Sequence, residues 1–271
     1  MKNQKTTTIA KTPERIIPED FQSLDEYLNY LRHLFAYNLA LDKISSGNFV
    51  LEAGCGEGYG SSFLSEKAGK IIGLDVDNDV VNYAQNKYAQ ENCQFACYDG
   101  QKIPYPDNSF DIVISFQVIE HIVDDENYIS EITRVLKKGG ALLMTTPNRA
   151  YRLKDDQKPW NKFHVREYHG QELKSLVAGF FSEVELLGLR GNAEIQRIEQ
   201  ERVRSGISQF NRVPGFIKKM IPNFLIKIVK PNKKRPADNR SQFDTYSLGD
   251  FYTISEKIKE EALDLFIIAR K

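Results

Sequence analysis

The sequence predicts an α/β protein, a doubly wound, mostly parallel sheet with helices on both faces, and three observations carry that expectation. Short apolar runs alternate with segments of helical periodicity throughout residues 48–148, the pattern of strands joined by crossover helices. The first run, Phe49-Val50-Leu51, goes straight into glycines at 54, 56, 58 and 60. That is how a buried strand looks when it delivers a tight turn without Cβ atoms to the next helix. The run Lys70 to Asp77 (KIIGLDVD) ends in acid, and in such folds an acid about 20 residues past the glycines accepts hydrogen bonds from ribose hydroxyls. A chain of 271 residues with 41% hydrophobic composition suits one domain of this kind plus a cap.

Taken in order, residues 1–19 are polar, contain Pro13 and Pro18, and read as a loose arm. From Phe21 to Lys43 apolar residues recur at helical spacing (Phe21, Leu24, Leu28, Leu31, Leu34 or Phe35, Leu39), which predicts an amphipathic helix ahead of the first strand. Its plain reading is a core-packing helix. The loop that follows the first strand puts backbone N–H groups within reach of a ligand, and the helix expected over Gly60 to Lys67 points its positive end at the same place. A dinucleotide fingerprint would need a third glycine at 59, where Tyr59 stands. Asp75 is the expected ribose acceptor, with a helix-cap role for Asn78 to Gln90 as the alternative. Strand three is expected to end at Asp99-Gly100, strand four to run from Asp111 to Phe116, and a helix to cover Asp124 to Leu136. Asp111, after Phe110 at a strand start, reads equally well as a structural cap. Lys137-Lys138-Gly139-Gly140 is a physical helix stop before the strand Ala141 to Asn148.

The acidic-x-Gly-x-Gly-x-Gly stretch led by Glu52 resembles motif I of the class I S-adenosylmethionine-dependent methyltransferases. The passage Asp99 to Val113, DGQKIPYPDNSFDIV, is similar to that family almost word for word, and RVLKKGG before strand five is another of its signatures. The resemblance implies a sheet of about seven strands with the last antiparallel. Phe163 to Gly188 would supply the last helix and sixth strand, and Ala262 to Lys271 the seventh. It implies that Glu52, Ala53, Gly54, Cys55, Gly56, Asp75, Val76, Asp99, Gly100, Phe116 and Gln117 hold S-adenosylmethionine, with the acid at 99 on the adenine amino group. PERIIPE (Pro13 to Glu19) and EYLNYLRHLFAY (Glu26 to Tyr37) look like the start of a bacterial subgroup linked to sugar and surface-polysaccharide chemistry.

Methyl transfer from a sulfonium needs nucleophile, methyl carbon and sulfur in line and removal of the acceptor's proton. The residues after strand four should face the methyl group, so His121 is the expected base and His164, in FHVREY, its expected partner. Each also reads as an ordinary packed or surface histidine. Some magnesium-dependent O-methyltransferases carry E-x-x-E-H here and a later histidine. The matching residues are Gln117, Glu120, His121 and His164, and the missing first carboxylate argues against a metal. The expected acceptor is an oxygen of a small molecule, glycan or lipid-linked intermediate. A nicotinamide-dependent oxidoreductase and a non-catalytic partner subunit that keeps the cofactor fold are the alternatives.

Lys+Arg and Asp+Glu both number 37, so no net charge draws the chain to nucleic acid. Three cysteines without C-x-x-C spacing, and a first twenty residues too polar for a signal peptide, point to the cytoplasm. The expected division is an arm and cap helix over 1–47, the cofactor-binding core over 48–191, an insertion over 192–252, and a final core strand over 253–271. From Gly206 to Pro236 the insertion has eight Lys or Arg residues and no acid, interleaved with Phe216, Ile221, Phe224 and Leu225. This basic amphipathic run reads as a peripheral contact with anionic lipid at the inner membrane surface, or as a substrate-covering lid.

Overall fold

The computed structural model describes residues 15–18, 20–154, 156–212 and 243–271. The apolar runs of the sequence become parallel strands β1 (Phe49–Ala53), β2 (Lys70–Asp75), β3 (Cys93–Cys97), β4 (Phe110–Phe116) and β5 (Leu136–Pro147). Three more strands, β6 (Glu183–Gly191), β7 (Phe251–Ile254) and β8 (Asp264–Arg270), complete one eight-stranded sheet in the order β3-β2-β1-β4-β5-β8-β6-β7. β8 runs antiparallel to both β5 and β6, as expected of the last strand. β7 is the strand beyond the expected seven. It adds antiparallel to β6, and the 192–252 segment therefore ends inside the sheet.

Alternation along the strands divides the core into two layers, because successive side chains of a strand leave opposite faces. Val50, Ile71, Ile114 and Phe266 pack on one face with α1 (Leu24–Leu41) and α2 (Tyr59–Ser65). Leu51, Ile72, Val113 and Ile267 pack on the other with α4 (Asp125–Val135) and α6 (Gly170–Ala178). Both faces are covered, so the strands read as near-continuous apolar runs. α3 (Asn78–Tyr88) begins at Asp77, whose side chain accepts from Asp79 and Val80 N–H.

Two local features place side chains at the carboxyl ends of the strands. α1 is capped by Ser23, which accepts from Glu26 N–H, and turns Leu28, Leu31 and Ala36 onto the core together with the buried Arg32 and Tyr37. Asn148, fully buried after β5, accepts from Ala150 N–H to start α5 (Arg149–Arg152). Its amide donates to the Ile258 and Ala262 carbonyls at 2.9 and 2.8 Å, which lashes that short helix to α8 (Ile258–Glu261). α7 (Ala193–Arg212) packs beside α1. The run expected to touch lipid lies outside the described residues beyond Arg212. Among the described residues no helix is long and apolar enough to cross a membrane.

Candidate active site

The strand order reverses between β1 and β4, and ligands of doubly wound sheets bind outside the carboxyl ends of the strands at that point. A cavity of about 610 Å³ opens there. Gly54 and Cys55 N–H both donate to the Leu74 carbonyl, at 2.7 and 2.9 Å, so the loop after β1 is pinned to β2. Gly54, Gly56 and Gly58 have φ of +83°, +50° and +85°, the left-handed region that glycine enters without strain. A Cβ at Gly54 would overlap Val118, whereas one at Gly56 would meet no atom within 4 Å and would stand in open space. The backbone at 56 therefore faces the open cavity that it lines. Asp75 holds that backbone: one carboxylate oxygen accepts from Gly56 N–H at 2.9 Å, the other from Asp77 N–H at 3.0 Å.

Of the residues expected to hold the cofactor, Gly54, Cys55, Gly56, Asp75 and Val76 line the cavity, as do Gly100, Phe116 and Gln117. Three stand elsewhere. Glu52 is fully buried behind the loop, where its two oxygens accept from the Tyr37 hydroxyl of α1 and the Ser61 hydroxyl of α2. It holds the scaffold of the loop. Ala53 is fully buried in the core layer under α4. Asp99 is exposed, and its carboxylate turns back to accept from Gln101 and Lys102 N–H at 2.9 and 3.0 Å, which holds its pKa below the usual carboxylate value. Its neighbours Tyr98 and Gly100 reach the cavity instead.

The far end of the cavity is built by the turn after β4. Gln117 adopts φ +57°, a conformation that costs a non-glycine residue free energy and clusters at functional sites. Its N–H donates to the Thr145 carbonyl at 2.9 Å. The loop before α6 returns to this turn, with Val165 N–H on the Glu120 carbonyl at 2.8 Å, and so brings His164 beside His121. The two rings meet edge to face with centroids 5.0 Å apart. His121 Nδ1 lies 3.0 Å from the Phe163 carbonyl and His164 Nδ1 2.8 Å from Glu167 Oε1. Neither a carbonyl nor a carboxylate can donate, so Nδ1 carries a proton in both rings. Glu120, also buried, accepts from the Thr146 hydroxyl at 2.9 Å, and burial pushes its pKa up to about 8. Glu120, His121 and His164 each offer a ligand atom within 4.8 Å of the others.

Several residues of the cavity wall carried no signal in the sequence. Glu57, an unremarked position inside the glycine loop, is buried, lines the cavity, and has its pKa raised to about 7 by burial. His33 of α1 also lines it. Burial, then the neighbouring Arg32 charge, lower its pKa to about 3, so it stays neutral. Arg32, Arg152, Arg202 and Trp160 complete the wall away from the glycine loop.

A switch-point cradle of left-handed glycines, closed by an acid from the neighbouring strand, defines a nucleoside-binding α/β fold. Comparison with known proteins names the kind. Residues 51–144 match the methyltransferase domain family. A probable S-adenosylmethionine-dependent methyltransferase of Mycolicibacterium smegmatis is 37% identical over 180 residues, 66% of this chain and 68% of that one. A fatty-acid O-methyltransferase of the same organism is 30% identical over 47% of each chain. Among solved structures, a methyltransferase of Thermotoga maritima described as a possible histamine N-methyltransferase superposes with a TM-score of 0.54 at 18% identity. The superposition covers 92% of this chain and 95% of that one. The chain belongs to the S-adenosylmethionine-dependent methyltransferases, and S-adenosylmethionine is its methyl donor. The nicotinamide alternative falls with that membership.

Proposed function

We propose that the enzyme methylates an oxygen of a small-molecule, glycan or lipid-linked acceptor, and that His121 and His164 take the acceptor's proton. S-adenosylmethionine supplies an electrophilic methyl group on a sulfonium. The chain's part is to hold it, with Asp75 accepting from the ribose hydroxyls and the amides around Gly56 close to the ligand, and to present the acceptor oxygen in line. What carries the reading is the meeting of the two imidazoles at the turn after β4. Both are held at Nδ1 by an acceptor, and both line the same cavity as the glycine cradle, where a neutral imidazole can take a proton. Glu167 supports the imidazolium that His164 would become, by the carboxylate–imidazole logic of other general bases. Relatives that are O-methyltransferases, the fatty-acid enzyme among them, favour oxygen over nitrogen or carbon. Transfer of a labelled methyl group from S-adenosylmethionine to extract fractions tests this. The reading predicts label in a product with an ether or ester bond, and label in an amine would overturn it.

A second reading is favoured by one observation, the convergence of Glu120, His121 and His164. A histidine whose Nδ1 is held by a carboxylate or carbonyl binds a metal through Nε2, and that arrangement is the usual support of a metal ligand. Two imidazoles and one carboxylate suit zinc, manganese or iron better than magnesium. Such an ion would supply Lewis acidity that acidifies an acceptor hydroxyl. The donor set fits it even though the sequence argued against magnesium. Metal analysis of the purified protein and assay after exhaustive chelation separate the readings. Full activity in the chelated, metal-free protein leaves the histidines as bases alone.

A further inference from the structure

Beyond the histidines the cavity wall holds three arginines from three elements, Arg32 of α1, Arg152 of α5 and Arg202 of α7. Arg32 is 5% exposed and Arg152 6%. Taking a guanidinium out of water is costly unless its five fixed donors find acceptors. Arg202 finds one, with Nε and Nη2 on Glu199 Oε2 at 2.9 and 2.6 Å. Arg32 donates from Nη2 to Asn29 at 2.7 Å and lies 3.0 Å from Asp264 and 3.6 Å from Glu199, a network that fastens α1 and α7 to β8. The purely structural account is sufficient for Arg202, and Arg32, whose Nε also lacks an aligned partner, is still held by a donated hydrogen bond and two acids.

It is not sufficient for Arg152. The ion pair of Arg152 is with Glu167 Oε2 at 3.2 Å through Nε, and that Nε has no partner in hydrogen-bonding alignment. The other oxygen of Glu167 is committed to His164. The guanidinium carbon lies 4.6 Å from the centre of the Trp160 ring, whose buried Nε1–H is also without a partner. Desolvation lowers the Arg152 pKa, the mark of a charge whose surroundings compensate it incompletely. A buried planar fork held by one acid and lining an open cavity is the core of a site for a planar or tetrahedral oxyanion. The fork also shares Glu167 with His164, which places it next to the proposed proton acceptor.

We propose that Arg152, stacked on the Trp160 ring, receives a carboxylate or phosphate group of the methyl acceptor, so that the enzyme's substrate is an anionic molecule. This rests on the methyl-transfer reading and names the chemistry of its acceptor. The test uses the full chain in calorimetric titration. S-adenosylhomocysteine is titrated first, which examines the cofactor site by itself. With and without it, hexanoate and glycerol 3-phosphate are then titrated against their neutral counterparts, hexanamide and glycerol. At least one anion should bind ten or more times as tightly as its neutral counterpart, and which one does distinguishes a carboxylate from a phosphate site. In Arg152→Gln that preference should vanish while S-adenosylhomocysteine affinity holds. Should Arg152→Gln fail to fold, Arg152→Lys keeps the charge beside Glu167, lacks the fork, and should bind the anion at least tenfold more weakly. Equal binding of anion and neutral counterpart, or an undiminished preference in the folded variant, would overturn the proposal. Failure of S-adenosylhomocysteine to bind would count against the cofactor site instead.

Discussion

Replacing Glu52 by glutamine separates a carboxyl that holds the loop's scaffold from one that holds the ligand. Burial, offset in part by the hydrogen bonds from Ser61 and Tyr37, pushes the Glu52 pKa from 4.5 up to about 7. The folded protein therefore keeps this proton more tightly than the unfolded chain does. The resulting stabilisation is fully present below pH 4.5 and is lost as pH rises through about 7. At roughly 1.4 kcal/mol per pH unit of separation between the two states, the loss amounts to about 3 kcal/mol. Glutamine cannot ionise, and its amide can exchange hydrogen bonds with the same two hydroxyls. The stability of Glu52→Gln relative to wild type should therefore rise by up to ~3 kcal/mol between pH 4.5 and pH 8. Glu57 and Glu120, which burial pushes up to about 7 and about 8, are present in both proteins and drop out of the difference. Urea unfolding of both proteins across that range, with m-values compared at each pH, measures it. A stability difference that does not change with pH would refute the buried, raised carboxyl. S-adenosylhomocysteine affinity should stay close to wild type, because Glu52 touches Tyr37 and Ser61 rather than the cavity.

Asp75→Ala should weaken S-adenosylhomocysteine binding roughly ten- to hundredfold, the worth of a hydrogen bond to a charged acceptor, and an unchanged dissociation constant would remove Asp75 from the ribose site. Gly56→Val should abolish cofactor binding in a folded protein, since a β-branched residue resists the φ of +50° and its side chain enters the open cradle. Wild-type affinity there would show the cradle to be misplaced. His121→Ala and His164→Ala should each lower turnover by about 10²–10⁴-fold with cofactor affinity kept, and wild-type turnover in either would end that residue's role as base. The basic run from Gly206 to Pro236 should carry the protein onto anionic vesicles at low salt, with binding lost when Lys218, Lys219, Lys227 and Lys230 become glutamate. Wild-type protein that stays in the supernatant makes the run a lid.

What could be read from the sequence is what neighbours in the chain decide. The glycine loop, the acid at 75 and the β4 passage are contiguous, and their apolar runs announce strands buried on both faces. Most boundaries moved by a residue or two, as with α2 at Tyr59–Ser65 where Gly60 to Lys67 was expected, but β5 begins at Leu136, five residues before the expected Ala141, so Lys137 to Gly140 lie in the strand. β7 was invisible because a four-residue edge strand has almost no periodicity of its own and is defined by its pairing with β6. Asp99 shows a limit of another kind. An acid at the right register was expected on the ligand, and here one oxygen of its carboxylate accepts from two amides of its own turn, while Tyr98 and Gly100 line the cavity. Arg32 reads as the solvated edge of an amphipathic helix until Glu199 and Asp264 arrive from α7 and β8 to bury it.

The family model matches residues 51–144, the stretch that holds the glycine loop, the acid at the end of β2 and the turn after β4. Methyl donation imposes the same geometry whatever the acceptor, so its requirements fall on local backbone: positive φ at three glycines, an acid at the end of β2, a sharp turn after β4. Acceptor recognition requires only that suitable side chains reach the right place, and any covering segment can supply them. Away from the glycine loop the cavity wall comes from α1 with Arg32 and His33, from the segment after β5 with Arg152, Trp160 and His164, and from α7 with Arg202. None of these belongs to the matched stretch. On the proposed reading the donor side of the cavity lies in the stretch that matches the methyltransferase domain family, and the acceptor side is assembled from segments outside that stretch. Substitutions in α5 or α7 should accordingly change which acceptor is methylated while leaving S-adenosylmethionine affinity intact, and the partition of effects between the two halves is what a mutational scan of the cavity wall would read.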